Sequence, residues 1–239
     1  MKKSVGITVS SCVCLLAALA ATLPAHTQET KSPYQNMAPL DQYLMDRGAE
    51  IALAKTAAPA SISDNAEVMV LGRDGFSTAV KGTNGFMCLV ERGWGAATDF
   101  PEFWNPKIRA PICFNPAAAR SFAPIFLMKT KLVLAGTPKD EIATQIAAAL
   151  DSKQLPALEP GAMCYMMSKQ QYLNDEGKNW HPHLMFYVSG DAAKTWGADL
   201  PSSPVISDND PEERVTIMMV WVPKWSDTTP FEAAAPPSH

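Results

Sequence analysis

The sequence predicts an α+β protein: a single domain with a largely antiparallel sheet of about six strands, packed with three or four helices. Three observations carry this. Strand-like segments cluster in two runs, residues 67–91 and 162–222, and such clustering favours α+β over an alternating α/β fold. Between the runs lies a stretch punctuated like helices, from Asn115-Pro116 to Ser152. The chain has 239 residues, 47% hydrophobic and only 18% charged, which is enough to bury one substantial core.

In chain order, residues 1–25 read as a secretory signal peptide. Lys2 and Lys3 form a positive start, residues 4–23 carry no charge, and residues 12–21 are densely apolar. Small residues offer cleavage after Ala20, Ala21 or Ala25, and Pro24 breaks the apolar helix just before the last of these. An uncleaved anchor is one alternative: the uncharged run nears the roughly 20 residues that span a bilayer, but Ser, Thr and Gly dilute its first half. A lipoprotein is the other, since Val9-Ser10-Ser11-Cys12 loosely matches a lipobox, although the most apolar part of the leader follows Cys12. The expected location is periplasmic or secreted, with no membrane insertion after the signal is removed. Residues 26–39 read as a flexible arm.

The domain is expected over residues 40–225. Leu40, Tyr43, Leu44, Ile51, Ala54 and Ala58 fall close to helical spacing, and Pro59 closes the segment. Residues 67–71, 76–81 and 86–91 read as three strands, joined by Arg73-Asp74-Gly75 and Gly82-Thr83-Asn84-Gly85, which predicts a meander. Residues 95–115 have no period and carry Phe100, Phe103 and Trp104 among three prolines. They read as a long aromatic loop, either a binding loop or a lid over the core's open edge. Asn115-Pro116 starts a helix, Pro124 kinks or restarts it, and Gly136 ends it. A further helix runs to about Ser152, with Ile142, Ile146, Ala149 and Leu150 on its apolar face. Strands are expected at 162–167, 183–188 and 215–222, a helical turn at 192–196, and a frayed tail at 226–239.

The net charge is −4, and loss of Lys2 and Lys3 makes the chain more acidic. That leaves no electrostatic case for nucleic acid or an anionic membrane. Of five cysteines the leader takes Cys12 and Cys14. An odd count in an oxidising compartment points to one disulfide and one free thiol. Cys88 with Cys113 is the expected pair, at the edges of one loop-rich stretch. Three reduced cysteines, or a bond to Cys164, are the alternatives.

Nucleophile elbow, P-loop, G-x-G-x-x-G, H-E-x-x-H and mature C-x-x-C signatures are absent from the sequence. What remains is Cys164 with Met166, followed after a loop by His181-Pro182-His183. Alternation puts Cys164 with Met166, and His181 with His183, on one face each, and a hairpin could join the faces. Such donors suit copper, or zinc with a carboxylate added. Cys164 as nucleophile with His183 as base is a second chemistry. Ordinary core packing is the third reading. The acidic run 208–213 lacks the glycine and distal glutamate of a calcium loop and reads as a solvated turn. Glu91, Arg92, Glu102 and Arg109 are expected to form ion pairs under the aromatic loop.

At Lys81-Gly-Thr-Asn-Gly-Phe-Met-Cys88, Pro160-Gly-Ala-Met-Cys-Tyr-Met-Met167 and His181-Pro-His-Leu-Met185 the chain resembles a family of exported bacterial proteins of unknown function. The resemblance spans residues 40 to about 225. It implies export and a single domain, and it brings no activity or ligand. The expected function is a non-enzymatic binding or interaction domain that takes a small molecule or protein through Phe100, Phe103 and Trp104. The alternatives are a metal-binding protein or metalloenzyme at His181, His183 and Cys164, and a hydrolase using Cys164 and His183.

Overall fold

The computed structural model describes Met1, residues 34–177 and residues 179–232. The stretch expected to be a signal peptide beyond Met1, residues 26–33 of the expected arm and residues 233–239 lie outside the described residues. Among the described residues no helix is long and apolar enough to cross a membrane.

One mixed, mainly antiparallel sheet of eight strands organises the domain, in the order β2-β1-β3-β4-β5-β6-β8-β7. The strands are β1 (Glu67–Gly72), β2 (Gly75–Val80), β3 (Met87–Glu91), β4 (Ala110–Phe114), β5 (Met163–Met166), β6 (His183–Ser189), β7 (Val205–Asp210) and β8 (Val215–Trp221). The helices are α1 (Arg47–Lys55), α2 (Ala60–Ser63), α3 (Pro116–Ser121), α4 (Ala123–Leu134) and α5 (Lys139–Asp151). The α+β class holds, with two strands more than expected. The additions are β4 and β7. All five residues of β4 are buried, so it shows no alternation. Its Pro111 lies between the Cys113–Tyr165 pair and the Arg109–Tyr172 bridge, where the edge toward β5 is unpaired and a missing N–H is tolerated.

The expected meander is replaced by a crossing. β1 and β2 form an antiparallel hairpin, but β3 lies on the other side of β1 and runs parallel to it, with Glu67 beside Met87. The chain from β2 passes tightly over the start of β1. There Thr83 N donates to Asn65 O at 2.8 Å, and Glu67 N donates to Phe86 O at 2.8 Å. A Cβ on Gly82 would stand 2.1 Å from the Glu67 nitrogen, so only glycine fits.

The predicted helix over residues 40–57 is split. Leu40–Gln42 forms a 3-10 turn, and α1 starts anew after Asp46, whose carboxylate accepts from Ala49 N at 2.9 Å. Between them the Tyr43 carbonyl accepts from Arg92 Nε at 2.7 Å instead of from a helical N–H. The Asn115 cap, the break before Pro124 and the stop at Gly136 appear as expected. Residues 226–232 fold back, with Ser226 N donating to Met167 O at 2.9 Å and Phe231 N to Pro223 O at 2.9 Å.

The sheet has two covered faces. Helix α1 packs on one, over Val68, Cys88, Val90 and Cys113. Helices α3 to α5 pack on the other, over Leu89, Ile112, Phe114, Cys164 and Met166. Cys88 and Cys113 are register partners on β3 and β4, and they are bonded. A loop of this length stabilises by about 3 kcal/mol in the chain-entropy model. Gly82→Ala should destabilise by about 3 kcal/mol or more in urea unfolding, because backbone has to move. Gly72→Ala, whose Cβ would meet its nearest atom at 3.5 Å, should change stability far less.

Candidate functional site

Strand β3 ends at Glu91 and Arg92 follows it in extended backbone, so the pleat sends the two charges to opposite faces. Arg92 turns toward α1. Its Nη2 donates to Glu50 Oε1 at 2.9 Å, with both side chains fully buried. The same oxygen accepts from Leu71 N at 3.2 Å, and Arg92 also donates to the Tyr43 and Val90 carbonyls. Glu91 turns the other way. It faces a cavity of about 240 Å³ bounded by the sheet, by Phe122 at the start of α4, and by the loop after β3.

The sheet register explains the floor of this cavity. Glu91 pairs with Ala110, Tyr187 with Ile217, and Ile217 with Asp208, so their side chains share one face. Met166, Met185 and Asp210 join them by alternation. The roof is the loop over residues 93–108. It folds back so closely that a Cβ on Gly93 would stand 2.3 Å from the Glu102 carbonyl oxygen. Trp94 buries itself beneath the loop and donates from Nε1 to Thr130 Oγ1 at 3.2 Å. Phe100 and Ile108 face the cavity from above, and Leu173 closes one side.

The acidic run over residues 208–213, which reads from sequence as a solvated turn, holds this roof in place. Thr98 Oγ1 donates to Glu212 Oε1 at 2.5 Å. Lys129 Nζ, buried on α4, donates to Glu213 Oε1 at 2.5 Å and to the Ala96 carbonyl at 3.2 Å. Asp210 accepts from Glu213 N at 3.0 Å. Burial pulls the Lys129 ammonium down, but Glu213, Asp210 and Glu212 together hold it above the usual lysine range.

Among the described residues the Glu91 carboxyl makes no hydrogen bond or ion pair. Enclosure by protein raises it to about 8, Glu213 pushes in the same direction, and Lys129 only partly opposes them. It is therefore mostly a neutral acid at pH 7. Asp208, at the exposed mouth, is also raised, by burial and by Asp210 and Asp99.

The residues singled out in the sequence divide among several places. Phe100 lines the cavity. Phe103 and Trp104 do not. They meet edge to face at 4.6 Å, Trp104 packs on Tyr34 at 4.4 Å, and Lys139 lies 4.6 Å over the Phe103 ring. Cys164 shares a sheet face with Met166, Met185 and His183, as the hairpin reading expected. It is fully buried, accepts from the Tyr187 hydroxyl at 3.2 Å, and is pushed far above the usual thiol range by burial. His183 is buried, holds the His181 carbonyl at 2.7 Å through Nδ1, and is lowered by burial. His181 stacks on Trp221 at 4.2 Å and leans on Phe231 at 4.5 Å, at the far end of β6.

These side chains do not converge as a donor set. Among the described residues no three His, Cys, Asp or Glu groups could hold a metal ion. Copper or zinc at His181, His183 and Cys164 therefore lacks its geometry. Cys164 and His183 make no hydrogen bond to each other: Cys164 accepts from Tyr187, and His183 bonds the His181 carbonyl. The expected Glu91–Arg92–Glu102–Arg109 cluster is likewise corrected. Arg92 pairs with Glu50, Glu102 accepts from Asn105 at 2.5 Å, and Arg109 donates to the Pro106, Ile108 and Gln42 carbonyls.

Searches against protein-family models, curated proteins and solved structures return no match to this chain.

Two outcomes follow from this geometry. In the folded protein Glu91 keeps its proton to about pH 8, whereas the unfolded chain sheds it near 4.5. Raising pH through that window should lower stability by on the order of a few kcal/mol, less than the full shift implies because the half-buried carboxyl is partly screened, as read in urea unfolding, and Glu91→Gln should flatten the decline. Cys164 should resist an aromatic disulfide reagent in the native state and react once on unfolding.

Proposed function

We propose that this is an exported, non-enzymatic domain that binds a small molecule in the cavity beneath the 93–108 loop. One observation carries the reading: the half-buried carboxyl of Glu91, with no protein hydrogen-bond partner among the described residues, lines a cavity whose walls combine apolar side chains with a few carboxyls. A carboxyl without a protein partner is available to a ligand, and a hydrogen bond made to a charged group contributes about 1.5–3 kcal/mol. Apolar walls with a few inward polar groups are the usual make-up of a ligand site. Export is supported by the leader pattern, by the resemblance to exported proteins, and by the bonded Cys88 and Cys113.

The size of the cavity limits the ligand. A cavity of about 150 Å³ takes benzene, so this one suits about ten non-hydrogen atoms. Compounds of that size should raise the melting temperature of the full mature chain. Ala110→Leu places extra carbons on the floor beside Glu91, so it should remove the shift while the protein stays folded. Equal shifts with the wild type and Ala110→Leu would place binding elsewhere and end the proposal. N-terminal sequencing of protein from the periplasm or medium tests export: an intact Met1 on cytoplasmic protein would overturn it.

A further inference from the structure

We infer that the ligand of this cavity is a small organic cation, an amine or amidine with an apolar body, whose charged head sits against Glu91. The inference rests on the reading of the cavity as the ligand site and adds the chemical class.

The charges around the cavity favour a cation. Asp208 and Asp210 come from β7, Glu213 from the turn after it, and Glu91 from β3. The cationic group facing them is Lys129 of α4, already committed to Glu213 and the Ala96 carbonyl. Arg92, next in sequence to Glu91, spends its guanidinium on the other side of the sheet. From β5 and β6, Cys164 and Tyr187 face Glu91, the hydroxyl donating to the thiol, and both are uncharged at neutral pH. The lining is thus anionic even while Glu91 holds its proton, which repels a carboxylate or phosphate ligand.

Two further features select an organic cation over a metal ion. The carboxyl groups are spread around the space and do not form a three-ligand group. Between them stand Phe100, Phe122, Leu173, Met185 and Ile217, surfaces that would take hydrocarbon, with ring faces able to attract a nearby ammonium.

Binding would exchange a proton for the ligand. An ammonium ion arriving at protonated Glu91 gains most if the carboxyl ionises. The Glu91 proton then passes to solvent, and the ligand's own charge takes its place. No bond of the ligand changes. Affinity for a cation should therefore rise with pH up to the point where Glu91 ionises unaided.

Titration calorimetry on the mature chain tests this with matched probes: butyl-, cyclohexyl- and benzylammonium, the corresponding alcohols, and the corresponding carboxylates. The ammonium members should bind more tightly than the alcohols, and the carboxylates most weakly. Ammonium affinity should climb by up to about tenfold per pH unit below the Glu91 value and level off above it. Heats measured in two buffers of different protonation enthalpy should show close to one proton released per ammonium bound at neutral pH. Glu91→Gln should remove that release and cost about tenfold or more in ammonium affinity, with little change for the alcohols. Alcohols or carboxylates binding as well as the ammonium ions, or ammonium binding without proton release, would overturn the cation assignment and leave the cavity reading standing. No binding by any probe, or binding indifferent to Ala110→Leu, would overturn the cavity reading itself.

Discussion

The buried contact between Arg92 and Glu50 is the constraint on which the site depends. A buried ion pair gains little unless its remaining donors and acceptors are satisfied. Here the guanidinium is satisfied by Glu50, the Tyr43 carbonyl and the Val90 carbonyl, while Glu50 takes both Arg92 and Leu71 N on Oε1 and leaves Oε2 buried without a partner among the described residues. One contact thereby joins α1, the segment before it, and the ends of β1 and β3. It also fixes which way the pleat faces at the end of β3. With Arg92 held toward α1, Glu91 has to face the other side. The orientation of the candidate ligand-binding carboxyl follows from a contact on the opposite face of the sheet.

The second requirement is a roof that stays open over the floor. Gly93 lets the loop fold back on itself, where its backbone meets that of Glu102 and Phe103. Polar anchors then hold it at its height. Glu212 takes Thr98, and Lys129 bridges Glu213 to the Ala96 carbonyl. The anchors come from α4 and from the turn between β7 and β8, elements far apart in sequence. The loop is therefore fastened on two sides. Apolar side chains alone would draw it down onto the sheet, because a collapsed roof buries more surface.

Much of the fold could be read from local signals, and much of the site could not. Asn115-Pro116, Pro124 and Gly136 each act through the chain's own dihedral limits, so their helix boundaries are visible in sequence. The hairpin that joins Cys164 to Met185 and Met166 to His183 was equally legible, because alternation is local. β4 was hidden because burial on both faces erases alternation and Pro111 argues against a strand. The parallel pairing of β1 with β3 was hidden because Gly82-Thr83-Asn84-Gly85 has the composition of a hairpin turn. Its actual use is set by a contact with Asn65 and Glu67 that local sequence does not announce. At the site, Phe100 was legible as part of an aromatic loop. Glu91 was read together with Arg92 as one charge cluster. Strand alternation was the available signal, since Leu89 and Glu91 share one face while Val90 and Arg92 share the other.

The contrast between Glu50 and Glu91 gives the site its strongest physical argument. Glu50 is fully buried, whereas Glu91 is half-buried at the cavity wall. Glu50 is bonded by a guanidinium and a backbone N–H, so its carboxylate does structural work. Glu91 faces open cavity with Lys129 held by another carboxylate. Packing alone gives no reason for a carboxyl there. A leucine would remove the electrostatic penalty, and a glutamine would keep the shape without the charge. A group that weakens the fold, and whose strain grows as pH rises, is what a binding site tolerates in exchange for a strong interaction made only with ligand present. The same enclosure that makes the carboxyl costly to ionise would strengthen its attraction for a cation. The instability of the unliganded site and its selectivity for charge would share one cause: an acid confined where little else can neutralise it.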